Sequence, residues 1–461
     1  MMNKKSKNYF IKALLTILLA IGVFYGLKQI LPDNIFRSNE KESSNSVIVD
    51  SLALQAIAAD SLDTANDTIL QTQQVAEIIP SSAHTDGYTN LHTFYSKLFQ
   101  LEKSKKGKVR IAYFGDSMTD GDLIVKDIRE RYQTYFGGNG VGFVGVTSLS
   151  ASARYTITHQ YSNNWITKSF LTPKSVPYPL GVDGQVSYLT QAQPSWLRLR
   201  TNDVPHLEDI KSAMLFFGSS SNQNGSISVS TDNNQIAQFT LKPVNVLNMQ
   251  SLFKGSTKSL KIDFSNAQNI PFYGVNIDSD NGVYVDNFSM RGNSGLPLAT
   301  LNKELMNSFD SALNYDLIII HYGANLLGYK SKDYSWYEKK MYGAILHLKE
   351  CFPHACFVII STADRAIKIG NEMQTDPSVA PLLEAQHSYA AATNSCFINL
   401  FSLMGGAGSM ASWVKEVPAL ANKDYTHFNT KGSAKVASYL YDELNGGYEK
   451  YKKLKNDGKI Q

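Results

Sequence analysis

The 461-residue chain contains only three cysteines, Cys351, Cys356 and Cys396, and no CxxC pair among them. It also has no HExxH stretch, and its nine histidines are scattered without metal-ligand spacing, so neither a metal nor a cofactor is expected. Cys356 and Cys396 each open an apolar run and read as packed thiols; one disulfide among the three would leave a thiol over. A basic excess is missing as well. The net charge is +4, but Lys4, Lys5, Lys7, Lys12 and Lys28 lie in the first thirty residues without one acid, so the remainder is close to neutral and nothing in it asks for nucleic acid. With 43% hydrophobic and 18% charged residues the body is ordinary for a globular protein, which excludes disorder of the whole chain.

What is present begins with an apolar stretch, Ala13 to Leu27, free of charge and preceded by lysines. It reads as a signal peptide or a signal anchor. No small-residue cleavage pattern follows it in "GVFYGLKQILPDN", which favours an uncleaved single-pass anchor over secretion after cleavage. The lysine-rich start then stays cytoplasmic and the body lies outside the cytoplasmic membrane, in the periplasm. Residues 1–36 are accordingly stub and anchor. Residues 37–87 are rich in Ser, Asp, Thr, Gln and Ala, with one Pro and no aromatic cluster, and read as a flexible linker. Fifty such residues span roughly 40 Å.

The remainder divides into three. Residues 88–150 begin a body in which Val109–Phe114 is a predicted strand and Leu123–Tyr135 a predicted helix, followed by "FGGNGVGFVG", where five glycines in ten residues predict a loop. Residues 151–286 change to short alternating runs. "SISVS" and "QFTLK" flank the turn residues Asp232, Asn233 and Asn234 as a hairpin would, and "WLRLR", "AMLFFG" and "LKIDFS" continue the pattern, so this part is predicted to be an inserted all-β sandwich. Residues 287–461 return to apolar strands alternating with helices: strands at 317–320, 356–360 and 396–400, helices at 336–349 and 431–445. Such alternation predicts a parallel sheet covered on both faces, a three-layer α/β/α arrangement that binds ligands at the carboxyl ends of its strands.

Four segments that follow strands carry chemistry. In "IAYFGDSMTDGDL" a buried run ends at Gly115, and Ser117 follows just past it, read as lying before a helix whose N–H groups point at whatever the hydroxyl attacks. Taken alone, a serine there is equally an N-cap. A serine hydroxyl becomes a nucleophile only when a base takes its proton and a carboxylate fixes the base's tautomer. "DYTHFNTKGSAKVASYLYDEL" supplies both in Asp424 and His427, three residues apart before the last helix. Donors for a developing oxyanion are offered by Gly323 and Asn325 of "LIIIHYGANLLGY" and by Gly292 of "DNFSMRGNSG".

These blocks, Gly115-Asp116-Ser117, Gly292, Gly323-Ala324-Asn325 and Asp424-Tyr425-Thr426-His427, in this order, resemble those of the SGNH (GDSL-like) hydrolases. The resemblance implies that Ser117 is the nucleophile, His427 the base and Asp424 its orienting acid. It also implies an oxyanion hole formed by the Ser117 backbone N–H, Gly292 and Asn325. The β insert, the glycine-rich stretch before it, "NGVYVDNFSMRGNSG" after it and the loop "STADRA" further resemble bacterial peptidoglycan O-acetylesterases, which carry a carbohydrate-binding-like sandwich at that place. Met118 and Leu326 depart from the residues usual there. The function implied is removal of O-acetyl groups from an acetylated glycan, with peptidoglycan as the substrate. A polysaccharide O-acetyltransferase using the same triad, or a non-catalytic glycan-binding envelope protein, are the alternatives.

Other candidates have structural readings. Asp116 reads as a loop carboxylate, Asp120 and Asp122 as helix N-terminal acids, His321 as packed, and Trp165 and Trp196 as sandwich core. Arg365 reads either as a surface residue or as a partner for an acidic substrate group.

Overall fold

The computed structural model describes residues 84–172, 176–232, 234–327 and 333–460, with Thr16 isolated before them. The predicted anchor and most of the predicted linker lie outside the described residues. Among the described residues no helix is long and apolar enough to cross a membrane.

The centre is a six-stranded sheet. Its strands are β1 (Thr85–Asp86), β2 (Lys108–Gly115), β3 (Gly282–Asn287), β4 (Tyr315–His321), β5 (Cys356–Ile360) and β6 (Cys396–Ile398). Their spatial order is β1-β6-β5-β4-β2-β3. All neighbours run parallel except the edge strand β1, which pairs antiparallel with β6. The predicted strands at 109–114, 317–320 and 356–360 are β2, β4 and β5, and the fourth ends at Ile398 rather than 400.

Because successive residues of a strand point to opposite faces, each strand feeds two cores. Val109, Ile111 and Tyr113 of β2, with Leu317 and Ile319 of β4, enter one core. Helices α1 (His92–Ser104), α2 (Val125–Phe136) and α6 (Thr430–Asn456) cover that face. Ala112, Phe114, Ile318 and Ile320 enter the other, covered by α3 (Lys303–Leu313), α4 (Ser335–Cys351) and α5 (Val379–Ala392). Each fully buried Val, Leu, Ile or Phe side chain contributes about 1.5–3 kcal/mol, so the two-faced β2 is among the most strongly held segments of the chain. The three cysteines are free and buried.

The insert is a sandwich with its own core. One sheet orders the strands Asn234–Thr240, Ser226–Thr231, Ser259–Ser265, Ser195–Thr201 and Ile157–Tyr161. The predicted hairpin is the antiparallel pair of the first two. The second sheet contains Leu247–Thr257, Ile210–Gly218, Phe272–Asp278, Gln185–Tyr188 and Ile166–Ser169. Here composition misleads: Gly142–Gly145, inside the glycine-rich stretch predicted to be a loop, is a strand that pairs with Phe272–Asp278. Glycine is required there by close approach, since a Cβ on Gly142 would lie 1.8 Å from Asp286 Oδ1.

Two polar clamps fix the assembly. At the sheet's outer edge, Glu443 of α6 accepts from Thr85 Oγ1 at 2.5 Å and from the Tyr88 hydroxyl at 2.7 Å. At the junction of sheet and sandwich, the Arg110 guanidinium of β2, 2% exposed, lies among carboxylates. Nη1 donates to Asp286 Oδ2 on β3 at 2.8 Å and to Asn276 Oδ1 of the sandwich at 3.0 Å, while Nη2 donates to Asp278 Oδ2 of the sandwich at 2.7 Å. The Tyr315 hydroxyl donates to Asp286 at 2.7 Å. Burial would lower the Arg110 pKa, but the charges of Asp286 and Asp278 more than offset it and leave it raised.

Replacing Arg110 with Met would take the cation from buried Asp286 and leave Asp278 only Lys108, so Arg110→Met is expected to lose about 3–5 kcal/mol of unfolding free energy in urea titrations. A loss below about 1 kcal/mol would remove Arg110 as the junction's anchor.

Candidate active site

Ser117 stands two residues past the end of β2. The chain turns there: the Asp116 carbonyl accepts from the N–H groups of Thr119 at 3.3 Å and Asp120 at 3.1 Å. Asp116 Oδ1 accepts from the Met118 N–H at 2.9 Å. Gly115 makes the turn possible, since a Cβ there would meet Thr119 Oγ1 at 2.2 Å. One expectation is corrected. The helix after Ser117 begins only at Val125, after a short turn of 3-10 helix at Asp120–Asp122, so Ser117 does not open that α-helix. The N–H groups near Ser117 are those of the turn itself.

His427 sits just before α6. Asn429 caps that helix, accepting from Lys431 N–H at 3.0 Å and Gly432 N–H at 3.1 Å. The His427 carbonyl accepts from the Asn422 N–H at 2.9 Å. Between acid and base, Tyr425 takes a left-handed backbone with φ of 56°, a sparsely populated state for a bulky residue. The result is a continuous relay. Ser117 Oγ lies 2.9 Å from His427 Nε2, and His427 Nδ1 lies 2.8 Å from Asp424 Oδ2. Asp424 Oδ1 accepts from the N–H groups of Thr426 and His427, both at 3.0 Å. With Asp424 accepting at Nδ1, the imidazole presents Nε2 to the hydroxyl as an acceptor.

The expected oxyanion donors are on two neighbouring loops. Gly292, with φ of 79°, follows β3, and Asn325, 3% exposed, follows β4. Asn325 Nδ2 donates to the Asn293 carbonyl at 2.9 Å and to Asp116 Oδ2 at 3.3 Å. The longer contact is the one that would yield to a developing oxyanion.

Burial would raise the Asp424 pKa, but hydrogen bonds from His427 and Thr426 hold it below the ordinary value, so it stays ionised at neutral pH. Asp116 goes the other way. It is 1% exposed, and burial pushes its carboxyl up to about 6 despite the Met118 N–H and the nearby His427.

The remaining candidates separate. His321 is buried, its pKa lowered by burial to about 4, and its Nδ1 lies 2.8 Å from the Tyr113 hydroxyl; it is the packed histidine expected. Trp165 packs edge-on against Phe264 and Phe272 in the sandwich core, whereas Trp196 is half-buried. Asp122 is not a helix-end acid: both its oxygens are taken by the Arg129 guanidinium, at 2.9 and 3.0 Å. Arg365 Nη1 lies 3.8 Å from Asp376 Oδ2. The sequence pattern passes over Gln386, fully buried on α5, whose Nε2 donates to the Tyr322 carbonyl at 2.8 Å and whose Oε1 accepts from the Thr362 N–H at 2.7 Å. It binds the loop after β4 to the loop after β5. A glutamine on the apolar face of a helix was the available signal.

Asp116 has a folded pKa above its ordinary 3.8, so between those values the folded chain holds more protons than the unfolded one and stability falls as pH rises. Relative to Asp116→Asn, the wild type should lose on the order of 3 kcal/mol between pH 4 and pH 7, most of it before pH 6. Parallel pH profiles of unfolding free energy for the two proteins would contradict this.

No family model and no curated protein matches the sequence. Among solved structures, one of a peptidoglycan O-acetylesterase aligns with 80% of this chain and 100% of its own, at 20% identity and a TM-score of 0.65. A family two carbohydrate esterase from Cellvibrio japonicus aligns at 11% identity over 63% of this chain and 99% of its own, with a TM-score of 0.25. An acetyl xylan esterase aligns at 19% identity over 35% of this chain and 81% of its own, with a TM-score of 0.28. The first of these shows a shared fold, which in this chain is a helix-covered parallel sheet with an inserted β-sandwich.

Proposed function

We propose that this protein is a serine esterase that removes O-acetyl groups from a polysaccharide, with peptidoglycan as the substrate. The observation that carries the reading is the hydrogen-bonded relay from Ser117 through His427 to Asp424, at 2.9 and 2.8 Å. The fold shared with a peptidoglycan O-acetylesterase supports the choice of polymer. The lysine-led apolar stretch in residues 1–30 supports a body held outside the cytoplasmic membrane.

In this scheme Ser117 Oγ attacks the acetyl carbonyl carbon while His427 Nε2 takes the hydroxyl proton. The carbonyl oxygen becomes an oxyanion held by the Ser117 and Gly292 N–H groups and Asn325 Nδ2. Collapse breaks the bond to the sugar oxygen, which leaves with the proton from His427. Water then attacks the acetyl-serine with His427 again as base, releasing acetate and restoring the hydroxyl. Asp424 keeps its negative charge throughout and stabilises the imidazolium. The chemistry calls for no cofactor.

Ser117→Ala should lower kcat for an aryl acetate by at least about 10⁴-fold, and Asp424→Asn by about 10⁴-fold through loss of the correct tautomer. Asn325→Ala should cost about 10²–10³-fold. Unchanged turnover in Ser117→Ala would end the assignment. Acetate release from O-acetylated peptidoglycan is expected to exceed release from acetylated xylan, and the reverse order would replace the polymer. Transfer of acetyl from a donor to a chito-oligosaccharide, in place of free acetate, would make the protein a transferase.

A further inference from the structure

Beside the nucleophile turn, a small recess with a cavity of about 50 Å³ opens between the catalytic sheet and the sandwich. Asp120, Asn287 and Ser289 of the catalytic part form one wall, and Arg154, His159, Asp183 and Gln185 of the insert are among those forming the other. We propose that this recess is a saccharide subsite, taking the hydroxyl-bearing edge of a neutral sugar next to the acetylated one; the inference rests on the esterase reading above.

The recess is polar where a seam between two packed units would ordinarily be apolar. It also has hydrogen-bonding capacity to spare. His159 is 6% exposed; its Nε2 lies 3.0 Å from the Val146 carbonyl and therefore carries the proton, which leaves Nδ1 an acceptor, and Nδ1 has no partner among the described residues. Burial lowers its pKa to about 4, so it is a neutral acceptor at physiological pH. Arg154 Nε and Nη2 are buried donors without a hydrogen-bond partner among the described residues. The nearest carboxylate, Asp122, is 3.9 Å from Nε and already accepts from Arg129 and from Thr156 Oγ1. Gln185 Nε2 makes only a long contact of 3.4 Å to Asp183 Oδ2. Burial pushes the Asp183 carboxyl up to about 7, so near neutrality both a donor and an acceptor form are present. An unsatisfied buried polar group is costly, and a ligand that pairs with several at once recovers that cost.

Charge narrows the ligand. Around the recess Arg129, Arg154 and Arg291 stand against Asp120, Asp122 and Asp183, so neither sign dominates. Groups that donate and accept together match the mixture of donors and acceptors, and sugar hydroxyls are such groups. Position agrees. Asp120 is three residues after Ser117, and Ser289 is three before Gly292, so the catalytic wall of the recess lies at most about 11 Å along the chain from the nucleophile turn and the Gly292 loop. Ser289 Oγ and Thr119 Oγ1 are joined at 2.6 Å, which makes the turn at Ser117 and the loop at Gly292 one continuous floor.

Gln185→Leu and His159→Phe test the proposal, one by removing a flexible donor and the other by filling the acceptor position. For each, kcat/KM is measured on soluble O-acetylated peptidoglycan fragments and on 4-nitrophenyl acetate, which has no sugar. The ratio of glycan to aryl acetate is expected to fall at least tenfold, through KM. A ratio within twofold of wild type in both variants overturns the subsite. Binding of the same fragments is measured in parallel by titration calorimetry in Ser117→Ala. Weakening of at least tenfold when either substitution is added supports the subsite, and unchanged affinity overturns it. Absence of turnover on both substrates in the wild type would instead defeat the esterase reading, with the calorimetry still deciding the subsite.

Discussion

The Arg110 guanidinium joins two structures that could otherwise drift apart. It belongs to the strand that ends at the nucleophile turn, yet its partners are divided between β3 of the same sheet and Asn276 and Asp278 of the sandwich. A cation buried to this degree is tolerable only when carboxylates surround it, and of those carboxylates Asp286 depends on the cation while Asp278 has Lys108 as well. The constraint therefore acts in both directions. It fixes the register of β2 against β3, and with it the positions of Ser117 and Gly292. It also fixes the face that the insert turns toward the catalytic loops.

Much of this architecture was legible in the chain because apolar runs of five to eight residues were bounded by polar turns. β4 and β5 needed no more than that. The relay was legible for a different reason: a serine, a histidine and an aspartate each follow a strand or precede a helix in segments whose surroundings leave them few structural tasks. What escaped detection was set by three-dimensional proximity. Gly142–Gly145 looked like loop because glycine has little strand preference, yet those residues are strand because Asp286 and the backbone of Phe272–Asp278 leave no room for anything larger. Asp122 looked like a helix-end acid, and only the return of Arg129 one turn inside α2 makes it a buried ion-pair partner. Helices α1, α3 and α5 went unread because their apolar positions are interleaved with polar residues such as Gln386, whose bonds are long-range.

Around the reacting groups, two carboxylates are driven in opposite directions by their surroundings. Asp424 receives two N–H groups and an imidazole, and remains charged. Asp116 lies in a drier place, where burial outweighs its backbone donors, and it shares Asn325 with the Asn293 carbonyl. The amide of Asn325 is thus held in tension between a structural carbonyl and a carboxyl of adjustable charge. Its aim toward an acyl oxygen depends on that balance, which couples the shape of the turn after β2 to the electrostatics of the loop after β4.

The clamp at Glu443 has a mechanical meaning. The chain enters the sheet at β1, whose pairing with β6 is only two residues long and is reinforced by Thr85 and Tyr88 on Glu443. Ser117 follows β2, four strand spacings away, or roughly 19 Å across the sheet. A force applied through the preceding polypeptide would load that short edge pairing first, so the contact most easily peeled stands between the pull and the catalytic turn, acting as a fuse.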